Sequence, residues 1–168
     1  CLDAALASGA KDAEALLGIA VNGKPLKEHL TGLIGVASEN MQLRRAAVLV
    51  APPGGILGQY VNFNKKAGCL AALKLAGVAA GNAAVRTAAN DLCMHAVAAR
   101  PIALDRKSVP ANVVEREKEV FREEVKNKPA NIQDKILEGK LGKFYQEKCL
   151  LEQIFVKDPE GKQTVNQM

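Results

Sequence analysis

Residues 109–151 read VPANVVEREKEVFREEVKNKPANIQDKILEGKLGKFYQEKCLL and predict two charged helices joined by a tight break at Asn127-Lys128-Pro129. Each arm carries apolar side chains at helical spacing, with charged residues around the rest of its surface. Pro129 ends the first helix because its ring fixes φ and it has no backbone N–H. The apolar positions are Val113, Val114, Val120, Phe121 and Val125 in the first arm, and Ile136, Leu137, Leu141, Phe144 and Leu151 in the second.

A short connection makes the two helices antiparallel neighbours. Each apolar stripe is narrow, so the arms stabilise each other and leave an outer face for another molecule. We therefore expect a projecting helical hairpin, a coiled coil, inserted into a compact domain. The alternative is an ordinary helix pair packed against the body of the protein.

The rest of the chain predicts an α+β fold, in which small antiparallel sheets pack with helices. Helices are expected at 2–8, 12–21, 26–37 and 82–100, and a strand at 41–51. Strands at 56–63 and 67–76 should form a hairpin through Asn64-Lys65-Lys66, because residues 67–76 alternate between apolar and exposed positions despite their helical propensity. Gly32 and Gly35 weaken the third helix, which indicates close approach of another backbone, either the protein's own sheet or a partner helix.

This pattern divides the chain into four parts. We assign 1–53 to the remainder of an N-terminal core subdomain and 54–108 to a C-terminal core subdomain. Residues 109–151 form the inserted hairpin, and 152–168 return the chain to the second subdomain. A length of 168 residues is compatible with one domain or two small subdomains with modest cores.

Composition points to an acidic partner. The net charge is +5 and the isoelectric point is near 9.1, so the partner is an acidic protein or a nucleic acid. Only 4% of residues are aromatic, and the core must be built from Ala, Leu, Val and Ile. No apolar run reaches membrane-spanning length, so no membrane role is expected.

The sequence contains no recognisable catalytic or cofactor-binding pattern. It lacks both GxxxxGK[ST] and GxGxxG, so direct nucleotide binding and other cofactors are not predicted. Four cysteines without CxxC spacing are typical of free thiols. His95 lies beside the buried stripe of its helix, where a hydrogen-bonded packing role is favoured over catalysis or metal binding. The carboxylates of the hairpin alternate with basic residues, which predicts a solvated face of ion pairs: Glu115, Glu117, Glu119, Glu123 and Glu124.

Several motifs resemble those of one family. DLCMHAVAARPIAL (91–104), VPANVVEREKEVFREE, KPANIQDKILEGKLGKFYQEKCLLEQIFVKD and KQTV follow the order of the C-terminal half of elongation factor Ts. Upstream, ENMQLRRAAVL (39–49) is similar to the family's strand, and GILGQYVNFNKKAGCLAAL (55–73) to its hairpin. The resemblance covers roughly three quarters of the chain.

The resemblance implies a guanine-nucleotide exchange factor for elongation factor Tu and not an enzyme. Such a factor binds the GTPase and bends the elements that hold Mg²⁺ and the phosphates, which lowers nucleotide affinity. The implied contacts with the GTPase are Ala37, Ser38, Glu39, Asn40, Tyr60 and Asn62. Asn62 replaces the family's histidine. The family's hairpin also implies a possible homodimer.

Three elements of the family pattern are expected outside this sequence. The Asp-Phe wedge that disturbs the Mg²⁺ site and the N-terminal helical module should lie before Cys1, and a last strand should follow Met168. We therefore expect weak GTPase binding and poor exchange from this chain alone. A mitochondrial location is favoured, with a plastid or the bacterial cytoplasm as alternatives.

The rival hypothesis is a ribosome- or RNA-associated basic protein without exchange activity. It would use Arg44, Arg45, Lys65, Lys66 and the lysines near 140–148. Aromatic residues for base stacking are few, and acidic residues are interleaved with the basic ones.

Overall fold

Helices alternate with two small antiparallel sheets along residues 2–168, the part of the chain that the computed structural model describes. The predicted α+β class is confirmed. The backbone divides into two units, Cys1–Val50 and Ala51–Met168. The four-part division drawn from the sequence stays a prediction.

The first unit is a small helical cluster with a two-residue hairpin. It contains α1 (Leu2–Ser8), α2 (Ala13–Leu17), β1 (Ala20–Val21), β2 (Lys24–Pro25) and α3 (Leu26–Ala37). Asp12 caps α2, because its carboxylate accepts a hydrogen bond from the Ala15 N–H at 2.8 Å. The core is formed by Ala5, Ala10, Leu16 and Leu26.

Two predictions for the first unit are wrong. The second helix was expected to reach residue 21, but it ends at Leu17, and residues 20–25 form β1 and β2 around a turn with positive φ at Asn22 and Gly23. Residues 41–51 form no strand, because no described segment pairs with their backbone. Leu43 and Ala46 instead pack against the helical core. A strand exists only where a second strand completes its hydrogen bonds.

The second unit is organised on a two-stranded sheet covered by one helix. β3 (Ile56–Val61) pairs antiparallel with β4 (Gly68–Leu73), with Ile56 opposite Leu73 and Val61 opposite Gly68. The turn between them has Lys65 at φ +56°. The predicted hairpin is confirmed, with each strand shorter than expected. α4 (Ala83–Ala99) begins after the Asn82 cap and matches its predicted bounds closely.

α4 lies directly against β3. A Cβ on Gly58 would stand 2.5 Å from the Ala89 carbonyl oxygen, so only glycine permits this approach. Next to it, the Asn90 side chain accepts a hydrogen bond from the Gln59 N–H at 2.9 Å. The sheet and the helix therefore meet backbone to backbone.

The predicted helix pair is α5 (Ala111–Val125) and α6 (Ala130–Lys148). Val109, Phe144 and Cys149 form its buried base, with Phe121 and Leu141 packed against it. Lys140 of α6 pairs with Glu124 of α5 and lies 5.5 Å from the centre of the Phe121 ring. The two helices are neighbours, and the projecting coiled coil stays a prediction. Exposed ion pairs along the helices agree with the predicted solvated face: Glu115–Lys118, Glu123–Lys126 and Glu124–Lys140.

A buried hydrogen-bond chain ties the C-terminal segment to α4. The His95 side chain is fully buried, and its Nδ1 accepts from the Val156 N–H at 3.1 Å. Nε2 must therefore carry the proton that it donates to Gln153 Oε1, at 3.0 Å. The Gln153 amide donates in turn to the carbonyl oxygens of Ala99 and Glu147. The predicted packing role of His95 is confirmed.

The remaining elements are three short 3₁₀ turns, Arg106–Ser108, Leu150–Glu152 and Val165–Gln167. Isolated bridges join Ala103 to Cys149 and Ile154 to Thr164. None of the helices within residues 2–168 is both long and apolar enough to cross a membrane.

Replacing Gly58 by alanine should destabilise the second unit by about 2 kcal/mol, because overpacking forces α4 and β3 apart. Urea unfolding followed by tyrosine fluorescence measures this, since both tyrosines lie in the second unit. Gly142→Ala is the control, because a Cβ there meets no atom within 4 Å. Alanine also has a higher helix propensity than glycine, so this variant should not lose stability. Equal midpoints for the two variants would contradict the close contact.

Replacing Gln153 by methionine should cost about 2–3 kcal/mol, because the His95 N–H and two carbonyl oxygens lose their partner inside the protein. The same unfolding assay checks it. The exposed Gln163, changed to methionine, is the control. Nitrogen NMR of the wild-type protein should show His95 as the Nε2–H tautomer, and the Nδ1–H tautomer would refute the hydrogen-bond chain.

Candidate functional site

Two of the six predicted contact residues line a groove where β3 meets the end of α4. Tyr60 and Asn62 lie two apart and turn towards the helix, as alternate strand residues do. Met94, Val97 and Ala98 supply the helix side at spacings of three and four. The cavity has a volume of about 350 Å³, and Arg100 completes its lining.

Arg100 was missed by the sequence analysis. It is exposed and ends α4 in a left-handed conformation at φ +49°, with its N–H donating to the Ala96 carbonyl oxygen at 3.0 Å. Its guanidinium forms no ion pair among the described residues. A left-handed arginine is uncommon and worth examining for function. The sequence signal for this helix end was Pro101, because a proline disfavours helical backbone at the residue before it.

Arg100 also lines a second cavity of about 500 Å³ on the β4 side of the helix. Lys66 of the β3–β4 turn contributes to the same cavity, so two cations border this end of the unit. Gly68 and Cys69 of β4 form its floor. Neither cavity is lined by a carboxylate. The site is therefore electropositive and suited to a partner that presents acidic or hydrogen-bond-accepting groups.

The other four predicted residues end α3 in the first unit. Ala37 is the last helical residue, and Ser38 follows in a left-handed conformation at φ +55° with its N–H bonded to the Ile34 carbonyl oxygen. Glu39 and Asn40 continue the chain, and all four residues are exposed. This turn presents free side chains and backbone groups to solvent.

The side of α3 that precedes this turn exposes large apolar side chains to solvent. Leu33 and Val36 are 58% and 88% exposed, and they line a cavity of about 680 Å³ together with Gly32. A Cβ on Gly32 or Gly35 would meet no atom within 4 Å. The expectation that these glycines pack against the protein's own sheet is wrong. The alternative, a partner helix on this flank, stays a prediction.

Two thiols lie together between the sheet and α4. The pKa of the Cys93 thiol is raised to about 12, mainly by burial and in addition by the charge and hydrogen bond of Cys69. Burial also raises the pKa of the Cys149 thiol. The predicted free thiols are confirmed for Cys69, Cys93 and Cys149, while Cys1 lies outside the described residues. Cys93 and Cys149 are buried and pack as small apolar side chains.

No group of three or more His, Cys, Asp or Glu side chains within the described part of the chain is placed to hold a metal ion. Both histidines instead bond within the protein. The His29 Nε2–H donates to the Val21 carbonyl oxygen at 2.7 Å, and His95 belongs to the chain described above.

Iodoacetamide at pH 8 should label Cys69 at least about tenfold faster than Cys93, because only the thiolate reacts and the Cys93 pKa is near 12. Peptide mass spectrometry measures the rates, and the urea-unfolded chain is the control. The unfolded thiol titrates near pH 8.5. The stability that depends on protonated Cys93 should therefore be complete below that pH and decline as pH rises towards 12. Equal labelling of both thiols in the folded protein would contradict their placement.

The comparisons of this chain with known proteins agree with one another. The family model described as Elongation factor TS matches residues 1–168. An elongation factor Ts of Chlorobium phaeobacteroides (strain BS1) is 37% identical over 163 residues, which cover 96% of this chain and 55% of the relative. The elongation factors Ts of Chlamydia caviae and Chlamydia trachomatis serovar D are each 42% identical over 122 residues, covering 73% of this chain and 41% of each relative. The chain spans about half the length of the curated relatives it matches.

Proposed function

The chain belongs to the elongation factor Ts family, and from that premise we propose that it is a guanine-nucleotide exchange factor for elongation factor Tu. It promotes GDP release during translation elongation. The observation that carries the proposal is the family match over residues 1–168.

The proposed contacts with the GTPase are the six predicted residues, Ala37, Ser38, Glu39, Asn40, Tyr60 and Asn62. The first four lie at the exposed end of α3 and in the turn that follows it, and the last two line the groove at the end of α4. To these we add Arg100, because it shares the groove and has a free guanidinium. Asn62 donates and accepts hydrogen bonds without the charge of a histidine.

The factor works through binding free energy and not through bond chemistry. It binds the nucleotide-free GTPase more tightly than the GDP-bound GTPase, and so lowers the affinity for GDP. By linkage, a nucleotide lowers the affinity for the factor to the same extent, so entry of GTP releases it. No cofactor and no direct nucleotide binding by this chain are part of the proposal.

A second candidate function is RNA binding without exchange, favoured by exposed Arg44, Arg45, Lys65 and Lys66. Three of the hairpin lysines are already paired with glutamates, which weakens this hypothesis. RNA binding would weaken steeply with salt and would need no GTPase.

Two further assignments belong to the proposal. We place the protein in a mitochondrion, with a plastid or the bacterial cytoplasm as alternatives; the relatives described above are bacterial. A homodimer through α5 and α6 also remains a prediction.

The test is release of fluorescent mant-GDP from elongation factor Tu on addition of the chain. Asn62→Ala and Arg100→Ala should each lower the rate at subsaturating factor about tenfold, as loss of a contact in a buried interface does. Arg86→Ala is the matched control, because Arg86 is exposed on α4 and lines neither groove cavity. Exchange by this chain should be weaker than by a full-length relative. No acceleration of release and no complex with the GTPase would refute the proposed function.

A further inference from the structure

Cys69 and Cys93 lie on facing elements of the second unit, the first on β4 and the second on α4. The close contact of Gly58 with Ala89 sets their approach. Cys93 follows Ala89 by one helical turn, so it lies on the same side of α4. On the sheet, Ala71 is the partner of Gly58, and Cys69 precedes Ala71 by two residues on the same face. The backbone therefore brings both thiols to the contact between α4 and β4.

The two sulfur atoms meet at this contact. The Cys93 thiol donates a hydrogen bond to the Cys69 sulfur, and its own sulfur accepts one from the Ala71 N–H. Both cysteines are free thiols. A disulfide requires two cysteines on neighbouring backbone segments whose side chains point towards each other. This pair has that orientation.

The two thiols differ in their access to solvent. Cys93 is fully buried, whereas Cys69 is half-buried and lines the cavity of about 500 Å³ described above. Lys66 and Arg100 border the same cavity, and no carboxylate lines it. Reactive cysteines are typically partly exposed and close to positive charge. A small oxidant can therefore reach the sulfur of Cys69 but not that of Cys93.

We propose that Cys69 and Cys93 form an oxidation site for peroxide, at which Cys69 reacts first and Cys93 completes a disulfide. In the first step the Cys69 thiolate attacks one oxygen of hydrogen peroxide, the O–O bond breaks, and hydroxide leaves. Cys69 is then a sulfenic acid. In the second step the Cys93 sulfur attacks the Cys69 sulfur, the S–O bond breaks, and the Cys93 proton leaves with the hydroxyl group as water. Two thiols are oxidised to one disulfide, and one peroxide is reduced to two molecules of water.

Burial gives Cys93 the second role. Its pKa of about 12 makes it a poor nucleophile towards a peroxide in solution. Against the Cys69 sulfur it reacts within the protein, where proximity replaces a bimolecular encounter. Cys149 is the internal comparison, because it is equally buried but the groups that act on its thiol are carboxylates and an arginine. Cys149 should therefore remain reduced in the same peroxide.

The disulfide joins β4 to α4 beside the cavity that Lys66 and Arg100 border. It closes a loop over residues 69–93, which restricts the unfolded chain and so stabilises the second unit. The inference does not depend on the proposed exchange function, because neither step involves the GTPase.

The test treats the full chain with excess hydrogen peroxide at pH 8, blocks the remaining thiols with iodoacetamide, and maps tryptic peptides by mass spectrometry. Trypsin places each cysteine in a separate peptide, because lysine or arginine lies between them. The peptides of Cys69 and Cys93 should be joined at least about tenfold more often than any other pair. Dithiothreitol should reverse the link. Dilution of the protein should leave the yield unchanged, because the bond forms within one chain.

Cys93→Ala separates the two steps. Without the second thiol, Cys69 should remain a sulfenic acid, and dimedone should label it at least about tenfold more than in the wild type. Cys149→Ala is the matched control, because it removes a buried thiol and should leave the Cys69–Cys93 link unchanged. Urea unfolding of the wild type gives an independent measurement, with a higher midpoint expected after oxidation.

Three results would overturn the inference. These are a sulfinic acid at Cys69 of the wild type without a link to Cys93, a preferred link to Cys1 or Cys149, and a link that forms only between chains. Each would leave the proposed function standing. The wild-type measurement needs no substitution, so the test holds even if a variant fails to fold.

Discussion

The contact between the Gly58 backbone and the Ala89 carbonyl sets the arrangement of the second unit. With no side chain at position 58, α4 rests on β3 at backbone distance and covers one face of the sheet. Tyr60, two residues further along the strand, then faces the C-terminal turn of α4. The groove at Tyr60, Asn62 and Arg100 is one consequence. The exposure of Leu57, Val61 and Leu70 on the opposite sheet face is another, because one helix covers only one face.

The buried hydrogen-bond chain from Val156 through His95 and Gln153 holds the C-terminal end of α4. Its members satisfy one another fully, and no buried side-chain nitrogen or oxygen in residues 2–168 is left without a partner. Satisfied buried polar networks specify a single arrangement, since any shift leaves a costly unpaired group. The C-terminal segment is thus fixed to the helix that also supplies the groove.

Local signals were sufficient for much of this fold. Pro25 and Asn82 marked the starts of α3 and α4, and alternation in residues 67–76 distinguished a strand from a helix of small residues. Features that depend on two distant segments could not be predicted from local sequence patterns. Residues 41–51 have strand composition but no partner, and pairing is a property of two segments. Gly32 and Gly35 were expected to mark a close backbone approach, whereas Gly58 makes one; a glycine's purpose depends on what lies opposite it. Arg100 was hidden for the same reason, because its importance comes from its neighbours across the groove.

An exchange factor must bind firmly and yet be displaced by a nucleotide, and the surfaces described here suit that requirement. Linkage limits the factor's useful affinity, because binding that exceeds the nucleotide's opposing effect would trap the GTPase. In the proposed function, the exposed Lys66 and Arg100 at the groove would act mainly on association rate and partner choice. Contacts of this kind would give rapid, selective association that can be reversed when GTP enters.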